Sequence, residues 1–584
     1  MSYTESREIW DRERARRAQT IPEIVASHAA SRPNALAFTF LPDGLEVGTQ
    51  LTFAELDRQA RMIAGAIGDH RGHRALLVYP SGADFVTALL GCLYAGVVAV
   101  HAPLISMEAA GTASRAELIS TDCEAALVLA PKAVADERET SLVPDQDSPL
   151  AKLPWYATDE LTSGEGAMYP DPPPRRGDLA MIQYTSGSTG VARGVPLEHG
   201  HLVDQACGLR ARAQSREDTV SVGWAPLFHD LGLFANVLTP LYGGRQSVIL
   251  PPWVFLRWPE RWLAAITRHS ASISGGPSFA YEHCVRKVSP DERRQLDLSR
   301  WTLAFVGAEP IQPVVLERFA GAFASTGFSP SAFCPGYGLA EASCVVSLRA
   351  TGTGAGVRTF ERRALGTGAA VEARSGRRLV SAGLALAEHE LAIVDPVRLS
   401  RCPTDTIGEV WVRGPFVARG YWRRPADQEV TFSGYLADTR EGPFLRTGDL
   451  GFLLDGELFV VGRIKELIII YGRNIYPDDV EASVQASHPA LRPGCGAAFS
   501  VPGEGTEWLV VMQELRRGRA DAPNEVKAAI RRTIAHDHGV DAHRILLLPP
   551  GALPKTSSGK IRRRACRASF LRGATPVASQ AAHT

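Results

Sequence analysis

Thr185, Ser186, Gly187, Ser188, Thr189 and Gly190, followed by Val-Ala-Arg193-Gly194, crowd four hydroxyls and two glycines into one short loop with a cation close behind. Backbone N–H groups in such a turn can converge on one concavity, and the hydroxyls add donors, so the chemistry these residues suit is the holding of a polyphosphate. Gly-x-x-x-x-Gly-Lys-Ser/Thr is absent, so the physics is that of a P-loop while the pattern is not. An ordinary surface loop has a similar composition. The apolar strand before the loop and Arg193 after it favour phosphate.

Further motifs follow in chain order. Residues 224–232 read Trp-Ala-Pro-Leu-Phe-His-Asp-Leu-Gly and carry His229 and Asp230; residues 307–310 read Gly-Ala-Glu-Pro, and 336–341 read Gly-Tyr-Gly-Leu-Ala-Glu. Residues 446–449 are Arg-Thr-Gly-Asp, 462–465 are Gly-Arg-Ile-Lys, and 553–560 are Leu-Pro-Lys-Thr-Ser-Ser-Gly-Lys. Ser557-Ser-Gly-Lys560 also fits the Ser-x-x-Lys pattern of penicillin-binding enzymes, but no Ser-Asp-Asn or Lys-Thr-Gly accompanies it.

Residues 179–184 are an apolar run that reads as a buried strand entering the loop. Similar runs at 75–79, 126–129 and 247–250 alternate with helical patterns over the first 340 residues, an α/β signature with largely parallel sheets. Residues 85–105 are apolar enough to resemble a membrane span, but Gly91, Gly96, His101 and Pro103 interrupt them. They read better as a helix to about Tyr94, a glycine turn, and a core strand over 97–100. From Leu391 the texture becomes short alternating strands, at 391–394 and 409–413, as in a small β-barrel-like or antiparallel subdomain. Residues 467–471 read as a strand before a turn at Gly472-Arg-Asn474, and Asn524 reads as the cap of a helix running to about His538 and ended by Gly539. The expected division is 1–464 and a smaller α+β unit over 466–584.

The chain has 584 residues, enough for several cores. Lys+Arg and Asp+Glu both number 63, so no global field attracts nucleic acid. Nine cysteines without a C-x-x-C pair argue for reduced thiols, and the charged start of the chain lacks the apolar core of a secretory signal. A cytoplasmic protein without a transmembrane segment or nucleic-acid partner is expected.

Taken in order, the motifs resemble the adenylate-forming superfamily of acyl-CoA synthetases, luciferases and nonribosomal adenylation domains, over nearly the whole length. The chain is most similar to the fatty acyl-AMP ligases, through residues 274–286, 462–477 and 488–500. The resemblance implies ATP and Mg²⁺ as cofactors and a fatty acid as substrate. Attack of a carboxylate on the α-phosphate gives a mixed anhydride, and the enzyme must stabilise the charge of that transfer. It also assigns roles. Residues 185–190 would hold the β- and γ-phosphates, with Arg193 where relatives usually have Lys. Gly307, Ala308 and Glu309, with Tyr337, Gly338 and Leu339, would form the adenine slot. Asp449 would accept the ribose hydroxyls, assisted by Arg463; alone, an Asp after Gly448 is a common turn residue. Glu341 would bind Mg²⁺, or else cap a surface helix. Lys560 would be the catalytic cation, or else a solvated lysine of a basic tail. His229 would border the acyl carboxylate, or else be structural. Phe279 and Tyr281 would line the acyl tunnel, or else be core.

The resemblance further implies a mobile C-terminal domain that turns about a hinge at Lys465 between two half-reactions. Residues 351–383 fall where fatty acyl-AMP ligases carry an insertion that opposes the CoA-competent arrangement; a flexible loop has the same composition. Between Lys555 and Arg572 there is no acidic residue, and Arg562, Arg563 and Arg567 are candidate contacts for an acidic holo acyl carrier protein of a polyketide, nonribosomal or lipid pathway. The competing readings are a CoA ligase or amino-acid or aryl-acid adenylating enzyme of the same fold, and a silent nucleotide- or lipid-binding relative. Joint retention of Glu341, Asp449, Arg463 and Lys560 argues against the silent one.

Overall fold

The computed structural model describes residues 8, 10–17, 19–102, 115–137, 148–161, 172–185, 193–214, 218–386, 388–471, 473–503, 507–518, 523–555 and 561–573. Two large sheets dominate. The six-stranded one runs Trp155–Ala157, Ala125–Ala130, Arg74–Val78, Val98–Ala102, Leu179–Thr185, Arg193–Glu198, and is parallel except for its last pair. In the nine-stranded sheet six neighbours are parallel, in the order Phe333–Tyr337, Leu303–Val306, Ile273–Gly276, Ser221–Gly223, Ser247–Ile249, Leu36–Phe40, with antiparallel strands at both ends.

Both faces of such strands must be covered, which explains why Val98–Ala102 is buried at every position. The segment that mimics a membrane span is the helix Ala83–Ala95, buried throughout from Phe85, then Gly96 at φ +69°, then that strand. Its Gly91 is required by close packing. A Cβ there would lie 2.4 Å from Ile63 Cγ2 on the neighbouring helix Phe53–Ile67. Among the described residues no helix is long and apolar enough to cross a membrane.

Glu390–Val394, Gly408–Arg413, Leu445–Leu454 and Glu457–Arg463 form a four-stranded antiparallel meander. Within 351–383 the structure has an antiparallel hairpin, Val357–Phe360 against Arg377–Val380, rather than an irregular loop. The reason is Phe360, fully buried and packed edge-on to Phe452 and Phe459 of the meander, with centroids 5.0 and 5.6 Å away.

The C-terminal part is a β/α unit. Leu491–Pro502, Glu507–Leu515 and Ala542–Leu548 form its sheet, and Pro477–Ala486 and Pro523–His538 supply Val480, Val484, Ile530 and Ile534 to its core. Two details differ from expectation. Arg473 and Asn474 lie in a strand, Arg473–Ile475, paired with Ile468–Ile470, and Asn524 is inside a helix that begins at Pro523. Gly539, at φ +65°, follows that helix as expected.

Candidate active site

Four neighbouring strands of the nine-stranded sheet end, at their carboxyl edge, in sequence motifs. Ser221–Gly223 runs into 224–232, Ile273–Gly276 into the helix bearing Phe279, Leu303–Val306 into Gly307, and Phe333–Tyr337 ends on Tyr337 itself. The carboxyl edge of a parallel sheet is where loops can converge on a ligand without interrupting the ladder. Thr185 ends a strand of the other sheet and pairs across a hairpin with Arg193. The Gln183 side-chain amide on the same strand donates to the Phe228 carbonyl at 2.9 Å, tying that strand to the 224–232 motif. Ser186, Gly187, Ser188, Thr189, Gly190 and Lys560 lie outside the described residues.

Asp449 sits opposite Arg463 in adjoining strands. Its Oδ1 accepts from Arg463 Nε at 2.8 Å, its Oδ2 from the Tyr337 hydroxyl at 2.6 Å, and its backbone N–H is fixed by Thr447 Oγ1 at 3.0 Å. A carboxylate offers about four lone-pair sites, so one directed at each oxygen remains for a pair of ligand hydroxyls. Burial, and next the negative charge of Asp449, push the Tyr337 phenol well above its usual pKa, so it stays a donor. The Asp449 charge raises the Arg463 pKa.

Gly338 is held by sterics, because a Cβ would fall 1.8 Å from the Cys344 carbonyl oxygen. Ala308 adopts φ +65° in the turn after Gly307. The adjoining Glu309 accepts from the Phe279 N–H at 2.6 Å, near the N-terminus of Ser278–Lys287, a position that favours a carboxylate. Of the expected adenine-slot residues, Glu309 therefore holds a helix end, while Gly307, Ala308, Tyr337, Gly338 and Leu339 surround the strand ends.

Glu341 follows Leu339 in the short turn Ala340–Ala342. Its Oε1 accepts from the Tyr421 hydroxyl at 2.7 Å. Arg193 lies over the Tyr421 ring at 5.0 Å and pairs with Asp427 at 3.5 Å. Tyr421 thus joins two residues 148 positions apart in sequence. At the start of the helix Asp230–Leu233 the Leu231 N–H donates to Asp230 Oδ1 at 2.7 Å, and His229 Nδ1 lies 2.5 Å from the same oxygen. A π-helical turn, Phe234–Leu238, follows at once, a rare form that recurs at functional sites.

The aromatic residues separate. Phe279 is half-buried beside Trp224, which stacks on Phe255 with a centroid distance of 3.8 Å. Tyr281, expected to line a tunnel, is instead core: fully buried, its hydroxyl donates to the Phe305 carbonyl at 2.6 Å, and Trp262, Trp301, Phe319 and Phe333 surround it. The three basic candidates separate too. Arg562 and Arg567 are exposed, whereas Arg563 is bound to Glu466, Asp478 and Glu481 and is not a surface contact. Lys465 is exposed in the turn Ile464–Glu466.

The family model for an AMP-binding enzyme matches residues 25–422, over half the chain. The chain belongs to the AMP-binding enzyme family. Within it the branch is that of the fatty acyl-AMP ligases. The medium-chain-fatty-acid–[acyl-carrier-protein] ligase JamA of Moorena producens is 40% identical over 548 residues, 92% of each chain. The long-chain-fatty-acid–AMP ligase FadD26 of Mycobacterium marinum is 34% identical over 94% of this chain and 96% of its own. The fatty acyl-adenylate ligase of L. pneumophila, solved with acyl adenylate and pyrophosphate, superposes with TM-score 0.74 at 35% identity, covering 96% and 97%.

In this AMP-binding enzyme the hairpin within 351–383 reaches the C-terminal unit. Arg377 Nε is 2.7 Å from Asp479 Oδ1, its guanidinium lies 4.7 Å from the centroid of the Tyr476 ring, and another nitrogen donates to the Val461 carbonyl at 3.0 Å. Sequence reasoning missed Tyr421, Trp224 and the Arg377–Asp479 pair as site or linking residues. Only Trp224 carried a local signal, being the first residue of the 224–232 motif.

Proposed function

We propose that this ligase activates a fatty acid with ATP and hands the acyl group to the phosphopantetheine thiol of an acyl carrier protein. A carboxylate oxygen of the acid bonds to the α-phosphorus, the bond to the β-phosphate breaks, and pyrophosphate leaves. The carrier thiolate then attacks the acyl carbon and AMP departs. The observation that carries this reading is Asp449, held by Tyr337 and Arg463 with lone pairs to spare for ribose hydroxyls, where Tyr337 ends a strand at the same sheet edge that bears the Trp224–Phe279 apolar wall. The similarity to JamA over 92% of both chains supports a fatty acid and a carrier protein as the two substrates.

The residues fit a magnesium ion. Glu341 Oε2 has no hydrogen-bond partner among the described residues, and Mg²⁺ commonly takes one or two carboxylates plus phosphate oxygens. When bound there, the ion would neutralise charge on the departing pyrophosphate. Tyr421 orients that carboxylate, the 185–190 loop holds the β- and γ-phosphates, and Lys560 bridges the acyl carboxylate and α-phosphate. The adenylating unit is 1–464, and 466–584 turns about Lys465 between the two steps. The Arg377–Asp479 pair supports a role for the 351–383 hairpin in restraining that turn against CoA transfer. Arg562 and Arg567 face the carrier protein.

The test supplies ATP, Mg²⁺ and a mixture of acids with either CoA or holo-carrier protein, and identifies products by mass. Acyl-carrier protein with little acyl-CoA is expected. Dominant acyl-CoA, or no fatty acid-dependent ATP–pyrophosphate exchange, overturns the reading.

A further inference from the structure

One short helix, Pro252–Arg257, has two faces of opposite purpose. Val254 and Phe255 are fully buried, and Phe255 stacks on Trp224 at the apolar wall. Trp253, Leu256 and Arg257 stand at i, i+3 and i+4 and so share the outward face. Trp253 is 54% and Leu256 53% exposed, unusual for side chains of this size.

The exposed face does not end with the helix. Trp258 packs edge-on to Trp253 with centroids 6.0 Å apart, and the guanidinium groups of Arg257 and Arg261 lie 4.5 and 4.1 Å from the centroid of its ring. Arg261 donates to the Asp43 carbonyl and Arg268 to the Leu45 carbonyl, which brings alongside a loop whose Leu45 is itself 42% exposed. Arg257 and Arg268 are exposed. The Asp43 carboxylate accepts from the N–H groups of Leu45 and Glu46, and Glu282 is bound by Arg318, leaving Glu46 as an exposed carboxylate and Glu260 as a half-buried one beside Arg261, against the cations Arg257, Arg261 and Arg268.

We propose that this face, Trp253, Leu256 and Trp258 with Arg257 and Arg268, docks the enzyme on an anionic lipid surface from which it draws its fatty acid. The inference rests on the function proposed above. Tryptophan with neighbouring arginine is the side-chain set that settles at the headgroup level, ring inward and cation toward phosphate. A patch this small falls well short of the roughly 20–30 residues a stable protein interface uses on each side. It needs no such area to rest on a bilayer. Placement supplies the purpose, since the other face of the same helix packs on the wall where the acyl chain has to lie, and a fatty acid partitions into bilayers.

The test uses the full chain and vesicles of two parts phosphatidylcholine to one part phosphatidylglycerol. Flotation of the wild type is expected, with a loss of at least about tenfold in Trp253→Ser/Leu256→Ser and weaker binding at raised salt in Arg257→Gln/Arg268→Gln. Acyl-adenylate formation from dissolved octanoate should be unchanged in both variants, which certifies folding, while formation from palmitate held in vesicles falls with flotation. A wild type that does not float, a double variant that floats as well as wild type, or a self-association or protein contact abolished by Trp253→Ser without any vesicle binding overturns the proposal. Flotation without adenylation of any fatty acid would instead defeat the function proposed above and leave the lipid surface standing.

Discussion

Replacing Arg563 by Met should weaken the C-terminal unit, and do so more as the pH rises. Arg563 meets Glu481 through two bonds, Nε to Oε1 at 2.6 Å and Nη2 to Oε2 at 2.8 Å, and also binds Glu466 and Asp478. Its side chain is 16% exposed and that of Glu481 11%. Removing one partner of a buried pair costs about 3–5 kcal/mol. The better-solvated Glu466 and Asp478 add at most about 1 kcal/mol each, and Glu481 can relax by taking a proton, so about 3 kcal/mol is a fair net figure near pH 8. Burial already pushes the Glu481 pKa up to about 7 from 4.5, against the pull of Arg563. A folded-state pKa raised in this way gives stability that is full below the unfolded value and is lost as pH rises through the folded one. Without Arg563 the pKa climbs further, so the gap between variant and wild type is nearly constant from about pH 5 to pH 7, where Glu481 is protonated in both folded proteins, and widens from there toward pH 8, by at most about 1.4 kcal/mol per unit. Calorimetry of the full chain at both pH values should show the C-terminal transition lowered by roughly 10 °C at the higher pH and clearly less at the lower. An unchanged transition, or a deficit independent of pH, refutes the pairing argument. So does a selective loss of transfer to carrier protein with stability intact, which would make Arg563 a docking residue after all.

Asp449→Asn removes the charge that both Tyr337 and Arg463 address, at about 1.5–3 kcal/mol per charge-assisted bond; the KM for ATP in pyrophosphate exchange should rise about tenfold or more. Gly276→Val places a Cβ only 2.7 Å from Trp224 Cζ2. It should displace Trp224 from Phe255, cost about 1–3 kcal/mol of stability, and penalise long acids more than octanoate in the same exchange assay. Arg377→Leu cuts the tie to Asp479 and should raise acyl-CoA formation while acyl-adenylate formation holds; equal CoA product in both proteins, read by mass, would remove the hairpin from acceptor choice. Tyr421→Phe should raise the Mg²⁺ concentration needed for half-maximal exchange without changing the KM for the acid, since the hydroxyl it removes serves the Glu341 carboxylate and Arg193 while the ring under Arg193 is kept.

What was legible in the chain was local. The buried strands at 75–79, 126–129 and 247–250 announced themselves as apolar runs, and the helix–glycine–strand reading of 85–100 followed from Gly96, which alone could take the left-handed turn at low cost. The motif residues could be singled out as short polar, glycine-bearing runs, although Tyr337, Asp449 and Arg463 stand at strand positions rather than in loops. What failed depended on partners far away in sequence. Tyr281 and Phe279 share a helix, and only the packing of Trp301 and Phe319 decides that one is core and the other wall. Arg563 looked like part of a basic stripe because Glu466, 97 residues earlier, is invisible at that range. The glycine-rich 351–383 segment has a loop's composition, yet Phe360 finds Phe452 and folds it back.

The hairpin that joins Leu179–Thr185 to Arg193–Glu198 bears on how the loop between them can evolve. Thr185 faces Arg193 and Tyr184 faces Gly194, while the Gly194 carbonyl accepts from the Trp422 N–H at 2.8 Å. The two ends of the seven-residue connection are therefore brought together by sheet formation and by a third segment, before any nucleotide arrives. Closure entropy becomes a term in folding and drops out of affinity. It grows only logarithmically with length, about 0.6 kcal/mol for each doubling, so residues can be gained or lost at the tip while the strands keep register. On the phosphate role proposed above, selection acts on which side chains the tip carries, and a substitution such as Arg for Lys at its exit can be absorbed without rebuilding the scaffold.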